Sequence, residues 1–214
     1  MREVNIPRSG LMYYTTKEDV LNDDSDPNRE AYLEIFSIME KISRILNVTC
    51  PDLSIAESIR QRNEYTGQLS DMCAMLFTPA DVPGLPNNVI QLSLEHFKPL
   101  PLSGIIAHEI RHIWQEKYKP ELNKVHAQGY TDSLNHPAEI DADGFAICLL
   151  ALNKIPLEQA GEVVCPEEKK LDPTAYKLRI DKAKEIMKEI ENQNVNRKGN
   201  FFSFFKQLIR KIFK

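Results

Sequence analysis

Two histidines and a glutamate near the middle of the chain have the residue types and spacing of a metal site. His108 and His112 lie four residues apart in GIIAHEIRHIWQ, and Glu109 directly follows the first of them. Side chains four apart share one face of a helix, so both imidazoles can bind one Zn²⁺ or Mn²⁺. At the edge of that face, Glu109 can take a proton from a metal-bound water. Two histidines that only pack on a helix can have the same spacing. A third ligand is therefore needed to distinguish a metal site from ordinary packing.

The candidate for that ligand lies in HPAEIDADGFAICLL, at the start of a second predicted helix. Four residues of this helix share one face at helical spacing: Glu139, Ala142, Asp143 and Ala146. We expect Glu139 to complete the metal site and Asp143 to accept the second ring N–H of a ligand histidine. Asp141 lies off this face and is expected to be solvated. The helix dipole alone would favour acids at this N-terminus, which explains Glu139 and Asp141 better than Asp143.

Helices must carry both motifs. Apolar periodicity predicts helices over about 31–46, 102–118, 137–153 and 173–191, with a loop over 119–136. His126, Tyr130 and His136 lie on that loop. They are either stabilisers of a reacting carbonyl or plain loop residues, and the sequence leaves both readings open.

Short apolar runs before the first motif predict strands. The runs LSIAESI, DMCAMLF and NNVIQLSL are separated by turn signals and indicate one small sheet. The last run, residues 87–94, alternates in polarity and is predicted to be an edge strand with one buried face. The expected fold class is therefore α+β, with a twisted sheet of three or slightly more strands packed on helices.

Three segments are predicted along the chain. Residues 1–29 form an N-terminal arm, whose acidic, turn-rich part 15–29 is expected to be a loop. Residues 30–192 form the main domain, and residues 193–214 form a basic amphipathic tail containing FFSFFKQLIRKIFK. Such a tail can lie on an anionic membrane surface, or it can dock on its own domain, a dimer mate or a partner.

Composition limits the other classes of function. The formal net charge of −4 argues against nucleic-acid binding driven by bulk charge. The four cysteines contain no CxxC pair, which argues against a cysteine zinc site. Cys73 and Cys148 lie in apolar runs and are expected to be buried free thiols, as in a reducing compartment. Without a signal-peptide pattern or a long apolar run, the expected location is the cytoplasm.

The two motifs together resemble a known family. HEIRH followed by EIDAD resembles the gluzincin branch of the zincin metallopeptidases, and AHEIRH with AEIDADGFA is similar to the ImmA/IrrE-like minimal zincins. Their second signature is Glu-x-x-Ala-[Asn/Asp]-x-Phe-Ala, and this chain matches it at Glu139, Ala142, Asp143, Phe145 and Ala146. The resemblance covers about residues 30–155. It implies a zincin-like fold with HExxH on the active-site helix and the third ligand on the following helix.

The resemblance also implies an activity. It implies a zinc metalloendopeptidase in which His108, His112 and Glu139 bind Zn²⁺ and Glu109 is the base. A protein or peptide substrate would add a strand along residues 87–94. Members of the family often act in regulation by cleaving one partner protein. The alternative is a zincin-fold interaction module that contains zinc, turns over little and acts by binding a partner.

One residue departs from the family pattern. Arg111 places a charge inside HExxH, where uncharged residues are usual. We expect its side chain to face away from the metal. The motif then still supplies both imidazoles and the carboxylate.

Overall fold

The computed structural model describes residues 1–6, 10–62, 69–94, 101–124 and 136–196. The chain divides into two compact units, Met1–Pro99 and Leu100–Lys214. The boundaries predicted at residues 30 and 192 both fall inside these units. The predicted tail lies outside the described residues from 197 onward.

The first unit contains all the described strands and two helices. The strands are β1 (Arg2–Ile6), β2 (Gly10–Tyr14), β3 (Asp52–Ala56), β4 (Ile59–Arg62), β5 (Leu69–Met72), β6 (Ala74–Phe77) and β7 (Val89–Ser93). The helices are α1 (Lys17–Asn22) and α2 (Arg29–Leu46). The predicted α+β class is confirmed, with small sheets of two and three strands packed on helices.

The three-stranded sheet has the order β3-β7-β6. All three strands were predicted, but the prediction that residues 87–94 form an edge strand is wrong. Strand β7 pairs with β3 in parallel and with β6 in antiparallel, so neither side of its backbone is free for a substrate strand. Its polar residues do not form a solvated face: Ser93 is fully buried, and the half-buried Gln91 donates from its amide to Ser54 Oγ on β3 at 3.2 Å.

Part of the segment predicted as a loop over 15–29 is helix α1 instead. Thr16 and Asp19 form a capping box: the Thr16 hydroxyl accepts from Asp19 N, and Asp19 Oδ2 accepts from Thr16 N. The acidic composition that suggested a loop thus supplies a helix start. Val20 is buried on the inner face of this helix.

The second unit is helical where it is described. Its helices are α3 (Leu102–Tyr118), α4 (Pro120–Lys124), α5 (Pro137–Leu152), α6 (Leu157–Val164), α7 (Pro166–Leu171) and α8 (Pro173–Asn196). Helices α3 and α5 match the prediction, whereas α4 occupies part of the predicted loop and α6 and α7 were not predicted. Helix α5 packs against both α3 and α8, which explains why it is apolar on nearly every side.

One glycine sets the distance between α5 and α8. A Cβ atom on Gly144 would lie 2.6 Å from Lys182 Cγ and 3.3 Å from Ala183 N. The backbones therefore approach more closely than any other residue at position 144 would permit without movement. This close approach brings α8 side chains to the face of α5 that carries Asp143.

The cysteines and the helix lengths bear on two further predictions. All four cysteines are free thiols; Cys148 is buried as predicted, whereas Cys73 is only half-buried. Burial raises the pKa of the Cys148 thiol to about 12, so it is protonated at neutral pH. Within the described residues, no helix is long and apolar enough to cross a membrane.

Candidate metal centre

Three side chains predicted as ligands come together in the second unit. His108 and His112 on α3 and Glu139 on α5 form a half-buried cluster that could hold a metal ion. The two Nε2 atoms lie 3.0 Å apart. Glu139 Oε2 lies 3.3 Å from His108 Nε2, and Glu139 Oε1 lies 3.6 Å from His112 Nε2. The cluster joins two helices, since Glu139 follows the histidines by about 30 residues of chain.

These distances fit a tetrahedral ion. Nitrogen and oxygen donors that lie about 2.0–2.1 Å from a tetrahedral Zn²⁺ lie about 3.3 Å from one another. The three observed separations, 3.0, 3.3 and 3.6 Å, are centred on that value. Three protein donors leave the fourth position of a tetrahedron open, as in catalytic rather than structural sites.

His108 is held by a carboxylate that is itself held by a buried cation. Its Nδ1 lies 2.8 Å from Asp143 Oδ1, the contact expected from the sequence. The other oxygen, Asp143 Oδ2, accepts from Arg179 Nε at 2.6 Å. Arg179 on α8 is 1% exposed, and its Nη1 also donates to the Ala175 carbonyl. A carboxylate acceptor fixes the ring orientation and turns Nε2 toward the other ligands.

The charges of the cluster stabilise one another. Burial lowers the pKa of His108, but Asp143 beside Nδ1 and Glu139 beside Nε2 raise it more, so it lies well above its usual value. Burial raises the pKa of Glu139, but the hydrogen bond with His108 and the charge of His112 hold it well below its usual range. Glu139 is therefore ionised, the state in which a carboxylate can bind a metal ion.

Glu109 has the properties of a base. It is 8% exposed, and burial raises the pKa of its carboxyl despite the lowering effect of the two histidines. Within the described residues its carboxylate accepts no hydrogen bond, so it keeps its capacity to take a proton. Glu109 directly follows His108 on α3, so its buried side chain leaves the helix at the position next to a candidate ligand.

The structure corrects the prediction for Asp141. Asp141 is 5% exposed rather than solvated, because Arg111 Nε and Nη2 donate to its two oxygens at 2.8 and 3.2 Å. The Arg111 guanidinium also lies 3.6 Å above the Trp114 ring centroid. The charge inside HExxH is thus neutralised by a buried ion pair on the neighbouring helix.

Of the three loop candidates, only His136 is described; His126 and Tyr130 lie outside the described residues. His136 caps helix α5, because its Nδ1 accepts from Ala138 N at 3.2 Å. His136 is 1% exposed, so the cap is buried.

Two residues of the site were missed in the sequence: Arg179 and Gln115. Arg179 lies between Ala175 and Ala183 at steps of four, so a charge in a line of small buried residues was the available signal. Gln115 lies three residues after His112, on the same face of α3, and its Oε1 is 2.9 Å from His112 Nδ1. A polar residue at that spacing was its signal.

A comparison of the chain with protein-family models, with curated proteins and with solved structures finds no match. The geometry of the site therefore carries the functional argument, together with the motif resemblance.

Proposed function

We propose that the chain is a zinc-dependent metalloendopeptidase that hydrolyses a peptide bond in a protein or peptide. The observation that carries the proposal is a buried carboxylate, Glu109, beside a cluster of three metal donors with an open fourth position. The peptide substrate and the zincin assignment are supported by the motif resemblance at residues 108–112 and 139–146.

The donor set favours zinc. Two imidazoles and one carboxylate are a common ligand set of catalytic zinc sites. A bound Zn²⁺ would supply Lewis acidity, which polarises a carbonyl and makes water a nucleophile at neutral pH. His108, His112 and Glu139 would hold the ion, with the imidazole Nε2 atoms as donors.

Glu109 would move the proton. Its raised pKa brings the carboxylate closer to neutral pH, where a general base is most effective. It would take a proton from the attacking water and deliver it to the leaving amine. Asp143 would keep the His108 ring in place during this exchange, because Arg179 prevents the carboxylate from turning.

Elemental analysis tests the metal. Purified wild-type protein should contain about one equivalent of zinc for the cluster of His108, His112 and Glu139, and His112→Ala should contain little. Wild-type protein without bound metal under conditions that keep it folded would refute the proposal. A different metal in stoichiometric amount would refute zinc but keep the site.

Peptide turnover tests the activity. Glu109→Gln should keep the metal and lose turnover by a factor of about 10²–10⁴. Glu116→Gln is the matched control, since Glu116 is exposed on the same helix and should retain activity. If Glu109→Gln retained the full biological effect, the interaction-module alternative would replace the peptidase. The same variant can trap uncleaved partners and so identify the substrate.

Two sequence predictions are carried forward as proposals. We infer a cytoplasmic location, with residues 200–214 in contact with either an anionic membrane surface or a protein. Co-sedimentation with anionic liposomes should pull down the full chain but not a chain ending at 196, and equal binding of both would refute the membrane contact. Pairing of a substrate with residues 87–94 is not proposed, because both sides of β7 are occupied.

A further inference from the structure

The two metal-facing histidines are held by different groups: a carboxylate contacts His108, and a neutral side-chain amide contacts His112. Gln115 is fully buried, and its Oε1 lies 2.9 Å from His112 Nδ1. A neutral imidazole can donate or accept at Nδ1, and an amide can present either oxygen or nitrogen. The groups that fix the tautomer of His112 and the orientation of the Gln115 amide must therefore contact the other end of that amide.

In the described structure, the other end of the Gln115 amide contacts two hydrogen-bond acceptors. Gln115 Nε2 lies 2.8 Å from the Ala138 carbonyl oxygen and 2.9 Å from Asp141 Oδ2. Neither oxygen is a donor, since one is a backbone carbonyl and both oxygens of Asp141 accept hydrogen bonds from the Arg111 guanidinium. The amide nitrogen must face these two oxygens, so the amide oxygen must face His112.

The tautomer of His112 follows from this orientation. Because Gln115 Oε1 accepts, His112 Nδ1 must carry the proton, and Nε2 is left with its lone pair. Nε2 is the atom that lies 3.0 Å from His108 Nε2 and 3.6 Å from Glu139 Oε1. The lone pair of His112 thus points into the cluster before any ion arrives.

Asp141 is kept in position by the charge inside the motif. Arg111 lies between the two histidines in sequence and donates two hydrogen bonds to Asp141 from α3 to α5. Helix α3 therefore carries His112, the Gln115 amide that orients its ring, and Arg111. Arg111 holds Asp141, which in turn accepts from the Gln115 amide. Asp141 and the Ala138 carbonyl, both on α5, complete the path.

We propose that Gln115, locked in one orientation by Asp141 and Arg111, is the positioning residue that presets His112 for metal binding. The proposal rests on the proposed metal site but not on peptidase activity. It assigns a role to the charged residue that departs from the family pattern: Arg111 acts on His112 through Asp141 and Gln115.

The main test replaces Gln115 by Met, which has a similar shape but no amide. Zinc affinity, measured by competition with a chromophoric chelator, should fall by about 10–100-fold. Long-range ¹H–¹⁵N spectra of the metal-free protein should show the Nδ1–H tautomer of His112 in the wild type and a mixture in Gln115→Met. Leu150→Ala is the control, since Leu150 is fully buried near the C-terminal end of α5, where its side chain lies beside Gly104 of α3. It should lower the melting temperature with wild-type zinc affinity and an unchanged tautomer.

A second variant keeps the proposal testable if Gln115→Met does not fold. Arg111→Met combined with Asp141→Leu removes both charges and leaves Gln115 with the Ala138 carbonyl alone. This variant should fold and bind zinc more weakly than the wild type, by a smaller factor than Gln115→Met. Wild-type affinity in the double variant would refute the role of Asp141 and Arg111.

The outcomes separate this proposal from the peptidase. Wild-type affinity together with an Nδ1–H His112 in Gln115→Met would overturn the positioning role. Weaker zinc binding in Gln115→Met, in a protein that cleaves no peptide, would support the positioning role and refute the peptidase. If the wild type bound no metal, the His112 tautomer in the two proteins would still decide whether Gln115 sets it.

Discussion

His108 and His112 face the same cluster, yet the chain holds them with opposite kinds of support. Asp143, a carboxylate held by Arg179, accepts from His108, whereas a neutral amide, held by Asp141 and Arg111, faces His112. A carboxylate beside Nδ1 stabilises a charged ring, and an amide orients the ring with little effect on its charge. Asp143 therefore stabilises the charged form of the His108 ring, whereas Gln115 mainly sets the orientation of the His112 ring.

The difference also balances the buried charge. Asp143 is paired with Arg179 and Asp141 with Arg111, so each support is neutral as a whole. Glu139 and Glu109 are the two carboxylates of the site that have no arginine in the described structure. When both are ionised, their two negative charges match a divalent cation.

The largest expected effect comes from breaking the support of His108. Arg179→Met leaves the Asp143 carboxylate buried without its cation, which should lower the free energy of unfolding by about 3–5 kcal/mol. Chemical denaturation measures it. Lys177→Met, on the exposed face of the same helix, is the control and should change stability little. If Arg179→Met lost no more free energy of unfolding than Lys177→Met, the ion pair of Arg179 and Asp143 would contribute nothing to stability.

The approach of α5 to α8 gives the next effect. Gly144→Ala places a methyl group against Lys182 and the Ala183 backbone, and should lower the free energy of unfolding by about 1–3 kcal/mol. The strain acts between the helices that carry Asp143 and Arg179, so the ring ¹⁵N signals of His108 should change while those of His112 do not. Gly104→Ala is the control, because its methyl would meet Leu150 at an ordinary 3.4 Å. Equal changes at both histidines would remove the distinction between the two supports.

Acidification tests the support of His112, because that support depends on the ionised Asp141. Burial raises the pKa of Asp141, but the hydrogen bonds and charge of Arg111 hold it below its usual range. A carboxyl with a lowered folded pKa stabilises the fold above its unfolded pKa of about 3.9, and this stability is lost as the pH falls through the folded value. Wild-type protein should therefore lose more stability on acidification below about pH 4 than Arg111→Met/Asp141→Leu. Parallel denaturation curves across pH for the two proteins would contradict this.

The smallest effect is expected at Lys182. Its Nζ lies 3.9 Å from Asp141 Oδ1 but 3.0 Å from Glu185 Oε2, and its side chain is 29% exposed. Solvent screens such a contact, so Lys182→Gln should change the free energy of unfolding by about 0–1 kcal/mol. Zinc affinity should stay at the wild-type value. A large loss of affinity would mean that Asp141 depends on Lys182 as well as on Arg111.

The sequence predicted the residues that share a helix face better than those that meet between helices. His108, His112, Glu139 and Asp143 follow from helical periodicity, which is a local property. Asp141 was misjudged because its partner, Arg111, lies 30 positions away on another helix. Gln115 and Arg179 bind groups on other helices too, and spacing within one segment can mark such residues as unusual but cannot reveal their partners.

The sheet shows the same limit. Each strand of β3-β7-β6 was visible as a short apolar run, but the order of strands depends on pairing between distant segments. Alternation in 87–94 suggested a solvated face, whereas Gln91 is satisfied by Ser54 on the neighbouring strand. Polarity alone could not separate a solvated side chain from a paired one.

The place of Arg179 along the chain has a consequence for how the protein is made. Arg179 follows Asp143 by 36 residues, on the last described helix. A nascent chain grows by about 5–20 residues per second, so α3 and α5 leave the ribosome seconds before Arg179 does. During that interval Asp143 has no guanidinium and the His108 ring is not fixed. On the proposed zinc site, ribosome-bound chains that end before α8 should therefore bind zinc more weakly than the full chain, by about 10–100-fold.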